Sequence, residues 1–140
     1  FLTQDFLSTY RYASKWIEMF DESPSMIAIH PVFYLKGNNY LMESLALIKY
    51  PSKFKEVLQQ MIQRTSSEEF PKNDNLKALN FQFYYSNKLN LHFLEGSFEE
   101  GVVIVPEIRD GIDAFSNQID PHHIMMFYYK IENLLELKYF

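Results

Sequence analysis

The segment YSNKLNLHFLEGSFEEGVVIVPEI, Tyr85 to Ile108, reads as one helix stopping and the next one starting. Leu89, Leu91 and Phe93 end an apolar run, and Gly96 follows where a helix closes readily through a left-handed residue. Ser97-Phe98-Glu99-Glu100 is a capping-box pattern, in which the Ser97 and Glu100 side chains each accept from the other's backbone N–H. Val102, Val105, Ile108, Ile112 and Phe115 continue at helical spacing. Pro106 lies inside that run, so a kink is expected, because its ring removes one backbone bond and crowds the preceding turn. Val102-Val103-Ile104-Val105 has strand propensity, but its place directly behind a helix cap favours helix.

Working outward, the helix that stops at Gly96 reaches back to about Asp74, with Leu76, Leu79 and Phe83 on its apolar side. Thr65 through Asn75 is polar and reads as a loop. Pro51 and Pro31 each suit a first helical position, where the missing N–H has no intrahelical partner. The Pro51 helix turns Phe54, Val57, Leu58 and Met61 inward, and the Pro31 helix carries Phe33, Tyr34, Leu41, Leu45 and Ile48. Earlier still, Phe6, Tyr10, Ala13, Trp16, Ile17 and Phe20 form one helical face, with Thr3 as its N-cap and Asp21 to Ser25 as its end. Asp120-Pro121 starts a sixth helix that runs to the C-terminus. Six helices and no strand make the expected class all-α.

Composition agrees with a folded domain. The chain has 140 residues, 47% apolar and 22% charged, a size that buries about two-thirds of the unfolded surface. Thirteen basic against eighteen acidic residues give a net charge of −5, which argues against nucleic-acid binding. The absence of cysteine removes disulfides, thiolate metal sites and a cysteine nucleophile. No apolar run approaches the ~18 residues that span a bilayer, and a cytoplasmic setting is expected. The chain begins Phe1-Leu2-Thr3 and ends Lys138-Tyr139-Phe140, so a segment of a longer array is expected.

The hairpins resemble one another. Leu41 to Tyr50 superposes on Leu89 to Phe98 at a shift of 48 (89 minus 41), and Phe83-Tyr84-Tyr85 recurs as Phe127-Tyr128-Tyr129 at a shift of 44 (127 minus 83). Such units cannot bury their apolar faces alone and stack on their neighbours. Between Tyr85 and Ile108, the residues Leu89, His92, Gly96, Phe98, Gly101, Val105 and Ile108 fall on the slots of a tetratricopeptide repeat. His92 stands where tyrosine is usual and Ile108 where alanine is usual. The chain thus resembles a divergent tetratricopeptide-repeat-like protein of the bacterial type, over about two-thirds of its length.

That resemblance implies a single helical-repeat domain over residues 1–140, a short right-handed α-solenoid whose first helices line a concave peptide-binding groove. Carried over position by position, the groove residues are Leu35, Asn38, Asn39 and Met42 in the first hairpin. In the second they are Phe83, Ser86, Asn87 and Asn90, and in the third Lys130 and Asn133. Asparagine offers an extended peptide both a donor and an acceptor, and Lys130 offers a charge for a carboxylate.

The remaining constellations have simpler readings. Asp120-His122-His123 is the most metal-like cluster, but adjacent residues rarely converge on one ion, and Asp120 reads as a helix cap. His30 reads as a cap before Pro31, and His92 as a core histidine donating to a backbone carbonyl. Glu68-Glu69 and Glu99-Glu100 sit at a loop and a helix start, where acids are solvated or meet the helix dipole. The aromatic pairs read as inter-hairpin packing. The expected function is a non-enzymatic protein- or peptide-binding module without cofactor, metal, nucleic-acid or membrane partner. The alternatives are a structural or sensor segment that stacks on flanking repeats or self-associates through its terminal helices, and, more remotely, a His/Asp metal-dependent enzyme.

Overall fold

The computed structural model describes the backbone of residues 2–138 and the side chains of residues 5–138. Among the described residues all regular structure is helical: α1 (Leu2–Glu22), α2 (Met26–Ile29), α3 (Pro31–Leu47), α4 (Pro51–Thr65), α5 (Asp74–Glu95), α6 (Phe98–Val103), α7 (Val105–Ala114) and α8 (Pro121–Lys138). No described helix is long and apolar enough to cross a membrane.

Two differences from the six expected helices have local causes. The four-residue helix α2 lies just beyond the Asp21–Ser25 break and tucks Ile27 into the core. The expected fifth helix is not kinked but divided at Ile104 into α6 and α7. Pro106 has no N–H for the carbonyl four residues back, so α7 restarts with proline in its first turn. Thr3, expected as a cap, is already inside α1, and its side chain lies outside the described residues. Thr65 ends α4 rather than starting the loop, its hydroxyl donating to the Met61 carbonyl at 2.7 Å.

Caps explain several boundaries. Asn73 Oδ1 accepts from the Leu76 N–H at 2.9 Å and starts α5. Asp120 Oδ1 accepts from the His122 N–H at 2.8 Å, as expected of a cap. His30 makes no side-chain cap; its carbonyl accepts from the Tyr34 N–H at 3.1 Å, and its ring lies 6.0 Å from that of Phe33.

The turns closing α3 and α5 share one backbone pattern. Lys49 and Gly96 both sit in the left-handed region, at φ 58° and 70°. In each case the next residue reaches back five, Tyr50 N–H to Leu45 O at 2.9 Å and Ser97 N–H to His92 O at 3.0 Å. The turns therefore superpose at a shift of 47 (96 minus 49), which sets Tyr50 on Ser97 and not on Phe98.

Packing follows chain order. Helix α3 touches α1, α2, α4 and α5; helix α5 touches α3, α4, α6 and α8; and α6 touches α8. One apolar cluster joins α1, α3, α4 and α5 through Ile17, Phe20, Tyr34, Leu45, Phe54, Met61 and Leu91. A second joins α5, α7 and α8 through Leu89, Val105, Ile108, Phe127, Ile131 and Leu134. Each such side chain contributes about 1.5–3 kcal/mol by leaving water. Arg64 clamps the first cluster: Nη2 meets Asp21 Oδ1 at 2.8 Å, and the guanidinium lies 5.6 Å from the centre of the Tyr34 ring. Burial pushes the Tyr34 phenol up, and Arg64 partly offsets that.

Candidate functional site

The residues expected in a groove divide by burial. Leu35, Asn38, Met42, Phe83 and Asn87 are core residues, with Asn38 1% and Asn87 0% exposed, which corrects their expected place on a binding surface. Asn38 and Asn87 have the same internal solution, each Nδ2 donating to the carbonyl four residues earlier, Tyr34 O and Phe83 O, both at 2.8 Å. With neighbours on several sides of α3 and α5, a polar side chain there is enclosed, and bonding back to its own helix satisfies the amide.

Asn39, Ser86, Asn90, Lys130 and Asn133 are half-buried and keep a path to solvent. Four of the candidates join a polar ladder across three helices. Asn39 Nδ2 donates to Glu43 Oε1 at 3.1 Å along α3, and Asn39 Oδ1 accepts from Asn87 Nδ2 of α5 at 2.8 Å. Lys130 Nζ of α8 donates to Ser86 Oγ of α5 at 2.9 Å. These two inter-helix bonds link residues 48 and 44 apart, each joining one long helix to another. Asn87 Oδ1 is left buried without a hydrogen-bond partner among the described residues.

Two depressions flank the ladder and share Glu43. The larger, of about 440 Å³, lies between α3 and α5 and is lined by Glu43, Ala46, Leu47, Asn90, Phe93 and Leu94. The smaller, about 80 Å³, brings Asn39, Gln82, Ser86, His123 and Met126 together across α3, α5 and α8. Burial lowers the Lys130 ammonium below its usual range, and the Glu43 carboxylate partly restores it.

Glu43, Gln82 and His123 belong to this surface and were not among the expected groove residues. Glu43 had a signal in the sequence, lying one turn beyond Asn39 on the same helix. Gln82 and His123 had none, because only the packing of α8 on α5 brings them together.

A lysine bonded to a serine is one arrangement that activates a hydroxyl. Ser86 and Lys130 lie within helices, where their own backbone N–H groups are bonded internally and are not offered to a developing oxyanion. Among the described residues no three His, Asp or Glu side chains are grouped to hold a metal ion. The rings of His122 and His123 are 5.5 Å apart. His92 accepts or donates through Nδ1 at 2.7 Å to Ser97 Oγ, not to a backbone carbonyl, and the Ser97 hydroxyl is thereby diverted from the expected capping box. No family model matches the chain, and comparison with curated proteins and with solved structures gave no match.

Proposed function

We propose that the chain is a non-enzymatic interaction module whose hairpins stack as a short right-handed α-solenoid of the tetratricopeptide-like kind. On this reading, the face shared by α3, α5 and α8 holds an extended peptide. The observation that carries it is the polar ladder from Glu43 through Asn39 and Asn87, and from Ser86 to Lys130, crossing those helices in order beside two depressions. The chain-order packing and the matching turns at Lys49 and Gly96 support the stacked arrangement.

The chemistry suits a peptide. The amides of Asn39, Asn90 and Asn133 complement main-chain N–H and C=O groups, and the Lys130 ammonium complements an acidic side chain or a C-terminal carboxylate. The apolar part of the larger depression, Ala46, Phe93 and Leu94, accepts an aliphatic side chain.

Selection from a random library of short peptides tests the reading. The expected result is a family of binders sharing an acidic or carboxy-terminal feature. Replacing Asn90, Lys130 and Asn133 together by alanine should weaken those binders about tenfold or more while leaving the thermal midpoint nearly unchanged. Equal binding by the triple variant removes the surface assignment.

A further inference from the structure

Helix α5 buries the flank that α8 leaves bare. Phe81 of α5 meets the rings of Phe115 and Phe127 at 5.5 and 5.8 Å, and Tyr85 Oη donates to Glu107 Oε2 at 2.7 Å. Forty-four residues on, the shift that relates the two Phe-Tyr-Tyr segments, Met125 and Tyr129 stand at the same places of α8. They are 69% and 62% exposed. Nothing in the described chain covers them as α7 and α8 cover Phe81 and Tyr85.

At the other end of the chain, α1, α2 and α3 border an open groove of about 650 Å³. Its lining is almost wholly apolar, with Tyr12, Trp16, Met19, Phe20, Met26 and Phe33, and Lys15 at its edge. Tyr12 is 74% and Met19 69% exposed. The two long helices beside this groove, α1 and α3, pack on each other as α4 does on α5 and as α6 does on α8. Those two pairs each hold a further long helix, α3 in one case and α5 in the other. The α1–α3 pair holds its equivalent nowhere in the described chain.

We infer that the bare stripe of α8 seats in the α1–α3 groove of a second copy, joining chains head to tail. The inference rests on the stacked-hairpin reading above, and it continues the helix–helix interface that the chain already repeats internally. The proposed joint is antiparallel, as within a helical hairpin, in the register that puts Met125 opposite Met19 and Tyr129 opposite Trp16. It also brings the exposed Glu132 of α8 to the exposed Arg11 and Lys15 of α1, a complementary pairing of charge. Such a joint uses two different surfaces, so it leaves one of each unused and adds further copies.

Sedimentation of the 140-residue chain over a range of concentrations tests this, together with two single variants. Wild type should grow in mass with concentration. Met19→Glu, in the groove, and Tyr129→Glu, on α8, should each remain monomeric with unchanged helical content. Mixed in equal amounts, the two variants should form a dimer and nothing larger, because each keeps the surface that the other has lost. Wild type that stays monomeric overturns the joint, as does self-association that survives either variant. A mixture that stays monomeric overturns it too, since a symmetric interface is disabled in both partners. Scattering separates this from the parent reading: an elongated monomer sinks the joint alone, and a compact isotropic particle sinks the stacking with it.

Discussion

Hairpin α3–α4 and hairpin α5–α6 close through the same backbone turn with almost no side chains in common. The left-handed residue is Lys49 in one and Gly96 in the other, and the residue five before the turn's last N–H is Leu45 in one and His92 in the other. Beyond the turn they part. Helix α4 runs unbroken to Thr65, whereas α6 stops at Val103 and α7 starts afresh. At the shift of 47, Phe54 in the first hairpin corresponds to Gly101 in the second. The turn is held by main-chain bonds that many residues satisfy; the spacing of the following helix is set by side-chain volume, which few residues satisfy.

The largest test of that contrast is Phe54→Ala. Phe54 is fully buried among α3, α4 and their neighbours, and its truncation should cost about 3–5 kcal/mol in chemical denaturation. A loss under about 1 kcal/mol would show that this hairpin tolerates the small residue its counterpart carries. The converse change is Gly101→Leu. A Cβ at Gly101 would lie 3.0 Å from Leu134 Cδ1 of α8 and 3.2 Å from His92 Cβ of α5. The larger side chain should therefore cost about 1–3 kcal/mol, read by the same measurement, as α8 is pushed from α6.

Smaller effects are expected at the turns themselves, with opposite signs. Lys49→Gly should stabilise by about 1 kcal/mol, because a side chain in the left-handed region carries a steric penalty that glycine lacks. Gly96→Lys should destabilise by a similar amount for that reason alone, since a Cβ there meets nothing within 4 Å. Thermal melts of the two variants check the pair. Shifts of the same sign would mean that the turns are not equivalent.

The finest distinction is in pH. His92 stands where the first hairpin has Leu45, and burial is the first cause that lowers its pKa, with Lys88 next and Glu100 and Glu95 opposing. The unfolded chain, with its ordinary imidazole, takes up the proton first as pH falls. Stability should therefore drop as pH goes below about 6.5 and level off once the folded imidazole is charged. His92→Leu should remove that part of the profile, measured as the difference between variant and wild-type denaturation midpoints. Parallel profiles would mean that His92 does not sense burial.

Much of the fold was legible in single helices. The prolines at 31, 51 and 121, the glycine at 96 and the cap at Asp120 mark boundaries by local backbone chemistry, and the structure has helix starts or ends at each. The break at Ile104 was half legible: Pro106 announced a disturbance, while its size depended on how α7 packs. Binding-surface residues were less legible. Asn38 and Asn39 are adjacent and chemically identical, yet one is enclosed and the other belongs to the ladder. A rotation of about 100° per residue separates them, and only the positions of α1, α4 and α5 decide which direction is inside.

The order of residues alone determined that this chain is helical and where its main helices begin, because caps, proline, glycine and apolar periodicity act within a few residues. Tertiary structure decided which asparagines are buried, that Lys130 reaches Ser86, and that Tyr85 is half-buried against Glu107 while Tyr129, 44 residues on, is exposed. Those outcomes depend on what stands beside a helix, and a helix carries no record of its neighbours in its own periodicity.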